Sequence, residues 1–348
     1  MKKVFAFAAI AALTLASCNQ LDDKQGVELA QNNEISFVSV NHATKGYVEG
    51  ADFIDSPYDK LHVENQGAAI DTTGSKAART LQMSAYVTPQ SGASGNYFVA
   101  QPFVRNANNE TDNLWHHNPK VYWPIGAQGV DFLAYSSTKP FAGTAVNWNQ
   151  ENAASKCVLY VSEDYLQDDV LYGAVAGRKT NAGAPVAMTF NHTQAWIQFQ
   201  IKVEDETMEN IVKVNDITIK NLYTRGELTL NGGATPSASW NFTSETAADR
   251  KMDDTYGICA PAFINKSVGY MDMLVPAQAQ TTFVMHYTLA GQDNVLEYTY
   301  DLATAQWEMG KKYIYEITIK PYEIIVEPTV TAFDVVDPGA SGFPSTLE

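Results

Sequence analysis

Apolar and polar residues alternate with a period of two through much of the chain, the spacing that sends successive side chains to opposite faces of a strand. Leu81, Met83, Ala85 and Val87 share one face and Gln82 and Ser84 the other; Ala195, Ile197, Phe199, Ile201 and Val203 alternate with Trp196, Gln198, Gln200 and Lys202. Further on, Phe283, Met285, Tyr287 and Leu289 form one apolar face, Leu296, Tyr298, Tyr300 and Leu302 a second, and Tyr313, Tyr315, Ile317 and Ile319 a third. Each stretch predicts a half-buried strand of an antiparallel sheet. Helical spacing is confined to residues 204–210 and 247–252, which excludes a parallel α/β fold. Turn clusters at Pro89-Gln90-Ser91-Gly92, Asn231-Gly232-Gly233 and Gly291-Gln292-Asp293-Asn294 punctuate the strands. The expected fold is all-β, made of antiparallel β-sandwiches.

The 348 residues suggest two domains. Residues 177–185, with Arg178, Lys179, Asn181 and Gly183, lack apolar alternation, and the division is expected there. An N-terminal sandwich then covers 34–184, a C-terminal sandwich 185–322, and a strand or tail 323–348. With 45% apolar and 11% aromatic residues the chain can fill real cores, and 18% charged residues are too few for a disordered or coiled-coil chain. Lys plus Arg number 23 against 39 Asp plus Glu, a net charge of −16 that no basic cluster offsets. Nucleic acid is thereby excluded as a main partner.

The first seventeen residues read as an export signal. Lys2 and Lys3 form a basic start, and Val4 to Leu15 form an apolar run too short to span a membrane. Leu15-Ala16-Ser17-Cys18 is similar to a bacterial lipobox, in which the cysteine is acylated and becomes the first residue of the mature chain. Residues 1–17 are thus expected to be a lipoprotein signal peptide and 18–33 an acylated linker. Two or three acyl chains would anchor Cys18 firmly, since each buried CH₂ contributes ~0.8 kcal/mol. Asn19-Gln20-Leu21-Asp22-Asp23-Lys24 resembles the acidic surface-export signal of outer-membrane lipoproteins in gut and oral Gram-negative anaerobes; an ordinary solvated linker is the plainer reading. Cys157 and Cys259 remain, either as a disulfide or as two separate buried thiols in the apolar settings Cys157-Val158-Leu159 and Ile258-Cys259-Ala260.

Catalytic patterns fail on inspection. Gly92-Ala93-Ser94-Gly95 and Gly339-Ala340-Ser341-Gly342 do not fit G-x-S-x-G and join no strand to a helix. Ser136-Ser137-Thr138-Lys139 spells S-x-x-K, but an apolar strand leads in, Pro140 follows, and Lys179-Thr180-Asn181 misses the K-T-G partner. His116 and His117 are neighbours that a strand would send to opposite faces, so they read as a polar turn before Asn118-Pro119. Asp168-Asp169 and Asp253-Asp254 read as solvated loop charges. No enzyme activity, metal or cofactor is expected. The six tryptophans read as core packing, Trp123 and Trp307 above all, with stacking against sugar rings on the surface of a sandwich as the alternative.

Several stretches together resemble the fimbrillin family, the type V pilins of gut and oral anaerobes. They are Val121-Tyr122-Trp123-Pro124 with Val130-Asp131-Phe132-Leu133-Ala134-Tyr135-Ser136; Gln167-Asp168-Asp169-Val170-Leu171-Tyr172-Gly173; Phe190-Asn191-His192 within 186–199; Met273-Leu274-Val275-Pro276-Ala277-Gln278; and Trp307 with Gly310-Lys311-Lys312-Tyr313-Ile314-Tyr315. The resemblance covers nearly the whole mature chain. It implies two transthyretin-like sandwiches in tandem, export as a lipid-anchored outer-membrane protein, and no catalysis. It also implies assembly with other fimbrial subunits into an adhesive surface fibre, after proteolysis removes the first strand, with a host or bacterial surface as ligand. The family usually carries Thr-Arg at the cut, whereas this chain reads Thr44-Lys45-Gly46. Cleavage after Lys45, at Arg79, or not at all all remain open. The rival function is a monomeric surface lipoprotein that binds glycans through exposed aromatics.

The chain ends carry the last expectation. Residues 34–45, with Ile35 and Phe37 on one face, form a first strand whose removal would open an apolar groove. The last core strand should finish near Lys320-Pro321, yet Ile324, Val326, Val330 and Ala332 continue the alternation. They form a candidate donor strand, able to lie along a neighbouring subunit, or else an edge strand of their own domain.

Overall fold

The alternating stretches become strands. The computed structural model describes residues 34–40, 80–105, 114–137, 146–149, 156–162, 169–178, 184–204, 211–233, 235–252, 262–263 and 269–332, and every regular element among them is a β-strand. In the first half these are β1 (Phe37–Val40), β2 (Thr80–Pro89), β3 (Gly95–Arg105), β4 (Trp115–His117), β5 (Ala127–Ser137), β6 (Val146–Asn149), β7 (Lys156–Val161), β8 (Leu171–Arg178) and β9 (Val186–His192). Seven of them close into a barrel in the order β1-β4-β3-β2-β5-β8-β9. Its interior is filled by Ile35, Phe37, Leu81, Met83, Phe103, Phe132 and their neighbours.

The second half contains β10 (Gln194–Val203), β11 (Val212–Leu222), β12 (Gly226–Asn231), β13 (Ser237–Asn241), β14 (Ala248–Met252), β15 (Ala262–Phe263), β16 (Gly269–Pro276), β17 (Gln278–Leu289), β18 (Leu296–Trp307), β19 (Lys311–Ile319) and β20 (Ile324–Ala332). Two sheets, β16-β10-β19-β20 and β14-β11-β17-β18 with β15 beside β11, enclose one core. Phe199 lies at its centre, edge-on to Phe283 at 4.8 Å and stacked on Tyr315 at 5.3 Å. The buried Trp307 indole N–H donates to the Tyr315 hydroxyl over 2.9 Å, so the deepest polar atoms of this core are paired.

A fourth sheet, β13-β12-β7-β6, joins the halves, because β12 of the second half pairs with β7 of the first from Gly226↔Val161 to Asn231↔Lys156. It packs on the outer face of the barrel, where Leu133 and Tyr135 meet Leu159, Leu228 and Leu230. Strand β5 is therefore buried on both faces, Phe132 and Ala134 inward and Leu133 and Tyr135 outward, which is why its sequence runs apolar without alternating.

These pairings correct several expectations. Strand β9 follows the expected division at 184/185 but pairs with β1 and β8 inside the barrel, so the sheets change over at Thr193 instead. The chain then passes from the sandwich to the sheet over the barrel at 223–225 and returns at 242–247. The sheets are not purely antiparallel: β1 runs parallel to β9, and β10 to β19. Residues 248–252 form β14 rather than a helical turn, since the Met252 side chain is drawn into the core. Trp196 and Gln198, on the polar face of their stretch, are buried as well.

Candidate assembly site

The strand that closes the barrel is held by buried side chains as well as by its backbone. Ile35 and Phe37 are wholly buried, and the Phe37 ring stands edge-on to Phe103 at 5.2 Å and to Phe132 at 5.0 Å. The backbone adds the parallel ladder with β9 from Phe37↔Val186 to Val40↔Thr189, a pairing of Phe37 with Trp115, and an Ile35 N–H bond to the Val121 carbonyl over 2.8 Å. A substituent on Gly173, where β8 passes β9, would meet the Met188 side chain and the Thr189 carbonyl at 2.8 Å, so the wall beside this seam tolerates only glycine.

Glu34 fastens the start of the strand. Its carboxylate accepts from His116 Nδ1 at one oxygen and from Lys120 Nζ at the other, each over 2.7 Å. Burial alone would raise the Glu34 carboxyl, but the hydrogen bonds from His116 and Lys120, together with their charges, outweigh it and hold the group below the ordinary glutamate value. His116 and His117 thus belong to a strand with both rings buried, not to a polar turn; His117 Nδ1 lies 2.9 Å from the Pro102 carbonyl oxygen. No signal in the sequence joins Glu34 to a histidine 82 positions later, so this cluster was not legible there.

At the other end, Ile324, Val326, Val330 and Ala332 lie on β20, which pairs antiparallel with β19 from Ile319↔Ile324 to Lys311↔Ala332. The strand is therefore spent on the edge of its own sheet. Ile324 and Val326 pack against the core, and the Tyr298 hydroxyl donates to the Ile324 carbonyl over 3.2 Å. Beyond them Glu327, Pro328, Thr329 and Val330 are all exposed.

Of the other singled-out residues, Cys18, Lys45, Arg79, Lys139, Asp168, Cys259 and the pair Asp253-Asp254 lie outside the described residues. Cys157 is a free thiol in the apolar layer over the barrel, and burial pushes its pKa far up. Ser136 is buried on β5. Asp169 is no solvated loop charge: it is wholly buried with one oxygen 2.8 Å from His192 Nδ1, beside Thr193. Trp115, Trp123, Trp196 and Trp307 are buried and Trp240 is half-buried, its indole N–H donating to the Thr193 carbonyl over 2.6 Å. Side chains so placed pack cores and offer no broad stacking surface.

Similarity to known proteins agrees with this architecture. Among solved structures, a fimbrial protein from Bacteroides vulgatus superposes with a TM-score of 0.53 at 15% identity, covering 87% of this chain and 100% of that one. A protein assigned to cell adhesion from Bacteroides uniformis gives 0.50 at 17% identity, covering 76% and 94%. Both likenesses concern the fold. No curated protein matches the sequence. The Fimbrillin-like family matches residues 63–333, well over half of the chain, and the chain belongs to that family.

Proposed function

We propose that this chain is a structural subunit of a cell-surface fimbria, assembled by strand exchange and contributing to adhesion rather than catalysis. The observation behind this reading is β1, the first described strand, which completes the barrel wall and, with the residues leading into it, places Ile35 and Phe37 in its core. Both candidate cut points, Lys45 and Arg79, fall between β1 and β2, so either cut leaves β1 held by non-covalent contacts alone. Its departure opens a groove between β4 and β9, with two free edges and a row of apolar pockets. A groove of that kind takes an added strand, whose backbone supplies the ladder and whose alternate side chains fill the pockets.

On this reading β20 of one subunit, carrying Ile324, Val326, Val330 and Ala332, detaches from β19 and fills the groove of the next. The acyl group on Cys18 holds the precursor at the outer membrane, and β1 prevents early polymerisation by covering the edges it will later expose. The two halves are variants of one transthyretin-like plan, a reading supported by a parallel pairing of the first strand of each half with a strand near its end, β1 with β9 and β10 with β19. Partners are other fimbrial subunits and a surface ligand on a host or bacterial cell.

The test is a gel of surface protein run without boiling. A ladder of heat-sensitive oligomers is expected from the full chain and its absence from a chain lacking residues 323–348, which should remain a folded monomer. Normal ladders from the truncated chain would exclude β20 as the donor.

A further inference from the structure

Among the described residues, five of the six most exposed large hydrophobic side chains stand at the two ends of the subunit, away from the junction at Thr193. The barrel's outer end is fixed by the pairings Val87↔Gly95, Pro89↔Ala127 and Val130↔Arg178, while Leu171↔His192 lies at the junction. At that outer end Ile125 is 100% exposed and Tyr122 40%. The turn that presents them is built, not loose: the Gln90 N–H donates to the Gly126 carbonyl over 3.0 Å, and the Tyr97 hydroxyl donates to the Tyr122 carbonyl.

The sandwich's outer end is fixed in the same way, by Val203↔Ile319, Val212↔Leu289 and Ile319↔Ile324, while Gly310 meets Gln194 at the junction. Its loops present Tyr322 at 100% exposure, Val295 at 59% and Ile211 at 39%. Singly exposed apolar residues need no explanation; their collection at two opposite ends does. The cations beside them are already engaged, Lys120 with Glu34, and Lys320 with Glu204 and Glu323, so covering either end strands neither lysine without a partner.

Strand polarity decides what covers them. Glu34 bridges Tyr122, and β1 runs from that outer end toward the junction, parallel to β9. Strand β20 starts at the sandwich's outer end, two residues after Tyr322. Detached from β19 and pivoting on the turn at 320–323, it would trail outward from that end. Passing into a second copy through the outer end of its barrel, it would run in the direction of β1 and could take up the same ladder with β9 without reversing.

We propose that the outer sandwich end of one subunit, through Tyr322, Val295 and Ile211, docks on the outer barrel end of a second copy of this chain, through Ile125 and Tyr122, encircling the passing strand. This rests on the strand-exchange reading above. The contact joins two different surfaces, so it is heterologous and does not close on itself; repeated, it builds an open filament. The apolar collar would also exclude water from the point where the donated strand leaves one fold and enters the next.

The experiment uses cells producing the full chain, with fibres sheared off and sized on unboiled gels. Ile125→Asp and Tyr322→Asp should each reduce polymer about tenfold or more, the factor that ~1.4 kcal/mol of lost contact gives, while Ile125→Leu and Tyr322→Phe keep it. Co-production of Ile125→Asp with Tyr322→Asp is the decisive arm. One intact end survives on each subunit, so the mixture should yield discrete heterodimers that neither variant gives alone. Wild-type levels of polymer from either Asp variant, or a mixture without heterodimers, would overturn the docking while leaving strand exchange intact. Failure of the unsubstituted chain to polymerise would instead remove the strand-exchange reading, and the docking with it.

Discussion

Strands β1 and β20 both lie at a margin of the fold, yet they are attached in opposite ways. Strand β20 has nine backbone partners on β19 and β1 only four on β9, so counting ladder positions would rank β20 as the firmer. Side-chain burial reverses the order. Ile35 and Phe37 are fully enclosed, whereas five of the nine residues of β20 are exposed. A net backbone hydrogen bond contributes only about 1 kcal/mol and less where water competes, while enclosing a phenylalanine contributes about 2–3 kcal/mol. One strand is a stopper and the other a flap. Under the proposed strand exchange, that asymmetry suits a stopper that must last until it is cut loose and a flap that must be free to move.

Substitutions at the two strands can break this contrast. The largest effect is expected at the stopper: Phe37→Ala should cost about 3–5 kcal/mol of barrel stability in urea unfolding of the full chain, through the cavity left between Phe103 and Phe132. Glu34→Gln should cost less, about 1–2 kcal/mol, because it weakens two charge-assisted bonds but leaves the plug seated.

The same carboxylate gives a pH signature. Its folded pKa is depressed, so its contribution is complete above the ordinary glutamate value and is lost as pH falls through the lower folded value. Unfolding curves of the Glu34→Gln variant and the unsubstituted chain should therefore converge in acid; a gap that persists there would mean that Glu34 acts by packing rather than by charge. The smallest effect is expected on the flap, where Val330→Ala should change stability by less than about 0.5 kcal/mol. A loss at Val330 matching that at Phe37 would show that the flap is anchored as firmly as the stopper.

Much of this plan is legible in the sequence because alternation reports which face of a strand is buried. The stretches at 81–87, 195–203, 283–289 and 313–319 all place their apolar faces in the two cores. The pattern cannot report what covers the second face, so the burial of Trp196 and Gln198 was hidden, as was the enclosure of β5 between barrel core and outer sheet. Pairing partners distant in the chain are equally silent. Nothing local marks β12 as a neighbour of β7, and the stretch 177–185 without alternation falls between the paired strands β8 and β9 rather than at the passage between halves. At the assembly site Ile35, Phe37 and the β20 residues could be read from alternation, but the Glu34 cluster could not, since it is made by tertiary contact alone.

In a surface fibre of the proposed kind, pull on one subunit would fall on the three passages between its barrel side and its sandwich. With a single tether, tension would fall on one linker and draw it out like slack thread. Here the segments at Thr193, 223–225 and 242–247 act side by side, and the Gln278 side chain clasps the second by accepting from the Tyr223 N–H over 2.8 Å and donating to the Tyr223 carbonyl over 2.7 Å. Separating the halves would require stripping β12 from β7 along six paired residues at the same time. Rupture under load is governed by the barrier to that concerted step, so each subunit should extend little before it fails and should transmit force along the filament as one stiff link.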